Sequence, residues 1–89
     1  MAPHPQGNLR RAIGVRLRKF RVESGISSQE KLAERAGVHR TYIGRLERGD
    51  SGVTVDMLAA ILAALDSSLA EFFKPFDQPT RPRTPRTRD

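Results

Sequence analysis

The stretch GISSQEKLAERAGVHRTYIGRLERG, residues 25–49, decides the fold of this 89-residue chain. Apolar residues recur at helical spacing on both sides of Gly37, and a second glycine, Gly49, follows the second of these patterns. Glycine readily adopts the left-handed backbone conformation in which many helices end. The stretch therefore predicts two short helices joined by a tight turn.

The spacing within this stretch indicates how the two helices pack. Ala33 is small enough to let them approach closely, and Gly37 tolerates a positive φ at the turn. Ile43 and Leu46 lie on one face of the second helix and are expected to anchor it, which leaves its other face exposed. This is the geometry of a helix-turn-helix, in which the second helix enters the major groove of DNA.

Helical periodicity outside this stretch predicts three more helices. One starts at Leu9 after Asn8 as its cap, one follows Thr54, and a short last one follows Ser68. Either Ser27 or Ser28 can cap the helix before Gly37. We expect an all-α, compact five-helix domain over residues 9–76, between a flexible lead at residues 1–8 and a disordered Pro/Arg tail at residues 77–89.

The composition favours a polyanionic partner over catalysis. The net charge is +6, and residues 8–24 alone carry six basic side chains against one acidic one. The chain has no cysteine and only two histidines, so we expect no nucleophile–base pair, metal site or cofactor, and hence no enzyme. No apolar run is long enough to span a bilayer, which favours a cytoplasmic, nucleoid-associated protein.

Four sequence elements carry a resemblance to a known family. Residues 25–49 contain Gln-x-x-Leu-Ala, Ala-Gly-Val, Tyr-Ile and Leu-Glu-Arg-Gly, and together these elements resemble the XRE (Cro and phage-repressor-like) helix-turn-helix family. Within that family the chain looks most like the controller proteins of restriction–modification systems. The resemblance implies a lambda-repressor-like fold and a transcription regulator that binds double-stranded DNA as a homodimer at an inverted repeat.

Carried over by position, the resemblance also implies roles for individual residues. Arginine can donate two parallel hydrogen bonds to guanine, and threonine can contact a base edge, so the base contacts are expected from His39, Arg40, Thr41 and Arg45. Contacts to the phosphates are expected from Ser28, Gln29, Tyr42, Arg48 and Thr54. The family further suggests a largely buried ion pair between Arg21 and Glu47.

The last apolar residues of the domain are candidates for subunit pairing. Relatives pair through this region, and the residues expected at the dimer interface are Leu65, Leu69, Phe72, Phe73 and Phe76. RNA polymerase is a further candidate partner, whereas no small-molecule ligand is expected. The alternative function is that of an antitoxin that regulates its own operon and binds a toxin. Neighbouring genes for a methyltransferase and an endonuclease would favour the controller protein, whereas a neighbouring toxin gene would favour the antitoxin.

Overall fold

Five α-helices make up the part of the chain that the computed structural model describes, residues 5–76, with side chains from Asn8 onward. They are α1 (Pro5–Glu23), α2 (Gln29–Ala36), α3 (Arg40–Arg48), α4 (Val55–Ala64) and α5 (Leu69–Phe73), and a 3-10 turn, Lys74–Phe76, follows. No strand occurs within residues 5–76, which confirms the all-α prediction. None of these helices combines the length and apolar character needed to cross a membrane.

The helix boundaries follow local capping chemistry. The Ser28 hydroxyl accepts a hydrogen bond from the Lys31 amide at 3.1 Å, which decides between the two serines that could cap α2. Gly37 and Gly49 end α2 and α3 with φ values of 74° and 78°.

The start of α1 differs from the expectation. Helix α1 begins at Pro5 rather than Leu9, so Asn8 lies inside the helix and does not cap it. A proline suits the first turn of a helix, because the amide hydrogen that it lacks has no partner there. Residues 1–4 and the basic tail at 77–89 lie outside the described part of the chain.

The core consists of aliphatic side chains from α1 to α4 and the α1–α2 loop, together with one fully buried aromatic ring from α5. Phe72 has no exposed surface, and its ring meets that of Phe20 edge-on with 5.3 Å between centroids. Leu65 is only 6% exposed. Leu65 and Phe72 are therefore core residues of the monomer, and as packed they offer almost no surface to a second subunit.

A close approach between α1 and α3 fixes the position of α3. A Cβ atom on Gly14 would lie 2.3 Å from the Leu46 carbonyl oxygen and 2.6 Å from that of Glu47. Only glycine allows the two backbones to pack at this distance. The sequence analysis did not single out Gly14, because the backbone of α3 is brought against it only in the folded chain.

Candidate nucleic-acid interface

The outer face of α3 carries the side chains that were expected to contact bases. Thr41 and Arg45 are exposed and are one helical turn apart, about 40° from each other around the axis. Ile43 and Leu46, on the opposite side, are 0% and 1% exposed. Burial of these two aliphatic residues holds α3 to the core and leaves Thr41 and Arg45 pointing away from it.

Arg40 occupies a different part of this surface. It is exposed at the first position of α3, on the flank that faces the start of α2. There an open cavity of about 410 Å³ lies between the two helices, and its lining residues are Gln29, Glu30, Arg40, Thr41, Gly44 and Arg48. The cavity thus brings Arg40 and Arg48 to the N-terminus of α2, where their two positive charges outnumber the single carboxylate of Glu30.

Gly44 gives this cavity its shape. A Cβ atom there would lie 3.1 Å from Gln29 Oε1 and 3.3 Å from Arg48 Nη1. The absence of a side chain therefore lets the ends of Gln29 and Arg48 rest on the surface of α3. Sequence reasoning used Gly37 and Gly49 as helix stops but assigned no role to Gly44, whose close neighbours come from α2 and from the end of α3.

Three of the expected DNA contacts are also helix caps. Ser28 Oγ, His39 Nδ1 and Thr54 Oγ1 each accept a hydrogen bond from a backbone amide, at 3.0–3.1 Å. The serine and threonine hydroxyls keep their own hydrogen, and a neutral imidazole that accepts at Nδ1 carries its hydrogen on Nε2. Capping and donation to a phosphate or base oxygen are therefore compatible in the same side chain.

Tyr42 lies at the edge of the core and keeps its hydroxyl as a donor. Its ring is half-buried against the core cluster. Burial raises the pKa of Tyr42 above its usual value, since desolvation disfavours the phenolate. The group consequently remains a neutral hydrogen-bond donor at physiological pH, which suits the phosphate contact expected of it.

Arg48 already has a partner in the structure, which sequence reasoning did not foresee. Its Nε donates to Asp50 Oδ2 at 2.9 Å, and both side chains are about 60% exposed. An exposed pair of this kind contributes little to stability, so a phosphate can replace the carboxylate as the partner of Arg48. Asp50 itself would repel a nearby phosphate.

A buried network links α1, α2 and α3 behind the interface. Arg21 Nε and Nη2 donate to the two carboxylate oxygens of Glu47 at 2.7 and 3.1 Å, and Arg21 Nη1 donates to the Ile26 carbonyl at 3.0 Å. The two side chains are 6% and 2% exposed. This two-pronged geometry satisfies both charges inside the protein.

Gln29 connects this network to the surface. Its Nε2 donates to Glu47 Oε1 at 3.0 Å, while its Oε1 lies over Gly44 in the cavity. The Gln29 side chain is therefore oriented from inside the protein, and its second amide hydrogen and its Oε1 are the groups left to contact DNA. The sequence analysis expected a phosphate contact at Gln29 but not its hydrogen bond to Glu47.

Arg10 is a further basic residue near the interface that sequence reasoning missed. Its Nε and Nη2 lie 3.3 Å from the position that a Cβ on Gly52 would occupy. This places the guanidinium on the loop between α3 and α4, two residues before the cap Thr54. In the sequence, Arg10 lies three and seven residues before the inward-facing Ile13 and Leu17 of α1, so the helical pattern does not indicate a surface contact for it. Only the packing of the α3–α4 loop shows that the guanidinium lies against this loop.

The remaining candidates for subunit pairing lie at the end of the domain. Leu69, Phe73 and Phe76 are half-buried, and the Phe73 and Phe76 rings meet at 5.2 Å between centroids. Arg16 holds this end against α1, because its Nη2 donates to the Glu71 carbonyl at 3.0 Å and its Nε donates to the Phe72 carbonyl. Partly exposed apolar rings on a fixed support can take part in an interface.

Comparison with known proteins agrees with this architecture. The helix-turn-helix family model HTH_3 matches residues 17–72. Control protein C.BamHI of Bacillus amyloliquefaciens is 41% identical over 58 residues, which are 65% of this chain and 72% of the relative. The transcriptional regulator SinR of Bacillus subtilis is 38% identical over 58 residues, which cover 64% of this chain and 51% of SinR.

A solved structure extends the likeness to three dimensions. The restriction-modification controller protein C.AhdI from Aeromonas hydrophila superposes with a TM-score of 0.73 at 36% identity, covering 79% of this chain and 100% of that one. The relatives are named as regulators and controller proteins, so the antitoxin alternative gains no support from them. The chain therefore belongs to the HTH_3 helix-turn-helix family of XRE type, a family of DNA-binding transcription regulators.

Proposed function

We propose that this protein reads a specific double-stranded DNA sequence with α3 in the major groove. The observation that carries the proposal is the division of α3 into a buried aliphatic side and an exposed side with Thr41 and Arg45. Arg45 and Arg40 are assigned to guanine edges, and Thr41 and His39 to neighbouring bases, because these groups supply the donors that base edges accept.

The phosphate contacts frame the reading helix. The caps Ser28 and Thr54 have hydroxyl hydrogens to donate, Gln29 and Arg48 line the cavity, and Tyr42 lies at the edge of the core. Contacts of this kind set the position of α3 in the groove without reading sequence. Arg10 is added to this set on the strength of its position on the α3–α4 loop.

The functional unit is proposed to be a homodimer. Of the residues expected at the interface, Leu69 and Phe73 offer partly exposed apolar surface on one face of α5, whereas Phe76 lies beside α1 in a groove with Val15. A twofold symmetric pair places its two reading helices about 34–36 Å apart, one turn of DNA, and so recognises an inverted repeat. Regulation would then act in the cytoplasm at a promoter, by repression or by contact with RNA polymerase, as a controller protein of a restriction–modification system.

Selection of bound sequences from a random DNA pool tests the reading function. The full chain should enrich one inverted repeat. Arg45→Ala should cost about 1–3 kcal/mol of discrimination at one position of each half-site. Arg48→Ala should instead weaken binding to all sequences. The slope of log affinity against log salt concentration should become less steep by about one, because about one fewer counterion is released on binding.

Arg18→Ala is the matched control, because Arg18 carries the same charge at an exposed position on α1 and lines none of the described cavities. It should leave the enriched sequence unchanged. A pool from which no sequence is enriched would contradict the proposal. So would an Arg45→Ala variant that keeps the sequence preference of the original protein.

A further inference from the structure

The outer face of α1 carries apolar side chains that the fold does not use. Val15 and Val22 are 63% and 55% exposed, and Ala12 and Lys19 lie on the same face at helical spacing. This face is about 80–160° around the helix from Gly14, which packs against α3. A partner bound here would leave the exposed side of α3 free for DNA.

A groove runs between this face and the end of the described chain. Its volume is about 660 Å³, and its lining residues are Asn8, Arg11, Ala12, Val15, Arg16, Lys19, Pro75 and Phe76. This volume lies in the range of pockets that hold buried side chains or small ligands. The floor is apolar, formed by Ala12, Val15 and Phe76, and Arg11 and Lys19 are exposed at its edges.

The groove has a fixed shape on one side. Arg16 donates to the carbonyl groups of Glu71 and Phe72, and its guanidinium carbon lies 4.6 Å from the centroid of the Phe20 ring. These contacts tie the end of α5 to α1 and so set the distance between Phe76 and Val15. These partners of Arg16, two backbone carbonyls and an aromatic ring, carry no negative charge that would neutralise the guanidinium. The groove is therefore cationic as well as apolar.

Charge decides among the possible occupants. A second copy of the chain that bound through the same groove by twofold symmetry would bring the same cations, Arg11 and Lys19, against themselves. The tail that continues from Phe76 is also basic, with Arg81, Arg83, Arg86 and Arg88 against Asp77 and Asp89. DNA would match the cations but has no apolar group for the floor. An acidic segment with apolar side chains on one face matches both features.

We propose that this groove docks an acidic amphipathic segment of another protein. Apolar side chains of the segment pack on Val15 and Phe76, and its carboxylates face Arg11 and Lys19. The site does not depend on the assignments made for α3, and it would let the protein contact DNA and a protein partner at the same time.

A pair of synthetic peptides tests this proposal with the full chain. One is a 16-residue helix with leucines on one face and glutamates beside them, and the other has lysine in place of every glutamate. Titration into isotope-labelled protein should shift the amide resonances of Ala12, Val15 and Phe76 with the acidic peptide only. Lys19→Glu should weaken that binding about tenfold, whereas Arg18→Glu should change it much less.

Val15→Glu should abolish peptide binding and leave the oligomeric state and DNA affinity unchanged, since Val15 is exposed and outside the reading helix. Equal binding of both peptides, or resonance shifts confined to other surfaces, would overturn the proposal. A Val15→Glu variant that dissociates into monomers would identify a second copy as the occupant instead. Resonances of Ala12 and Val15, which are far from the cut in sequence, that move when residues 77–89 are removed would identify the tail as the occupant. Either result would also reject the proposal.

Discussion

Two glycines, Gly14 in α1 and Gly44 in α3, should respond differently to replacement by alanine: the first change should affect stability and the second DNA binding. The added Cβ of Gly14→Ala would lie 2.3 Å from a backbone oxygen of α3, which no rotamer change can relieve. Overpacking of this kind costs about 1–3 kcal/mol, more than the ~1 kcal/mol that alanine gains over glycine in a helix. We expect Gly14→Ala to lower the free energy of unfolding in urea.

Gly44→Ala is expected to act on DNA binding rather than on stability. The atoms near its added Cβ, at 3.1 and 3.3 Å, belong to the flexible ends of Gln29 and Arg48, which can move aside. The free energy of unfolding in urea should therefore be unchanged or slightly higher, while the affinity for the selected DNA should fall several-fold. A Gly44→Ala protein that binds DNA normally would show that the placement of these two side chains does not matter.

At the scale of the helices, the Arg21–Glu47 ion pair holds α3 against α1. Arg21→Met leaves the Glu47 carboxylate buried with only the Gln29 amide as a partner, and loss of one member of such a pair costs about 3–5 kcal/mol. A domain of this size has little stability to lose, so we expect the single variant to be largely unfolded at 37 °C.

The double variant Arg21→Met/Glu47→Leu separates charge burial from packing. Removal of both charges leaves no buried charge, and only the Ile26 carbonyl and the Gln29 amide lose a hydrogen-bond partner. The thermal midpoint measured by circular dichroism should therefore recover part of the loss. A double variant as unstable as Arg21→Met alone would mean that the packing and hydrogen bonds of the two side chains, and not the burial of an unpaired charge, account for the loss of stability.

At the scale of the whole molecule, the proposed homodimer predicts that DNA affinity depends on dimerisation. Phe73→Asp places a charge on the partly exposed apolar face of α5, beside the buried ring of Phe72. We expect monomers in sedimentation experiments, weak binding to the full inverted repeat and nearly unchanged binding to a half-site. Arg18→Asp, which adds a carboxylate at an exposed position elsewhere, should remain dimeric. A dimeric Phe73→Asp protein would place the interface elsewhere.

Local sequence signals determined the helices and the motif. Apolar spacing predicts α2, α3 and α4, and Gly37 and Gly49 end α2 and α3 because a left-handed residue is needed there. Ser28, Thr54 and Ser68 mark the starts of α2, α4 and α5, because each hydroxyl accepts a hydrogen bond from a free amide three residues later in the chain. The start of α1 was the exception, as Asn8 and Pro5 are both acceptable near a helix start.

The arrangement of side chains that are distant in sequence was decided only by the tertiary structure. Leu65 and Phe72 were expected at the dimer interface, but both are buried in the monomer, where the Phe72 ring packs edge-on against Phe20. The same holds for the hydrogen bond from Gln29 to Glu47 and for Gly14 under α3. The roles of the exposed residues toward DNA stay predictions. Periodicity reports which face of a helix is buried, whereas the identity of the neighbour depends on how all five helices pack together.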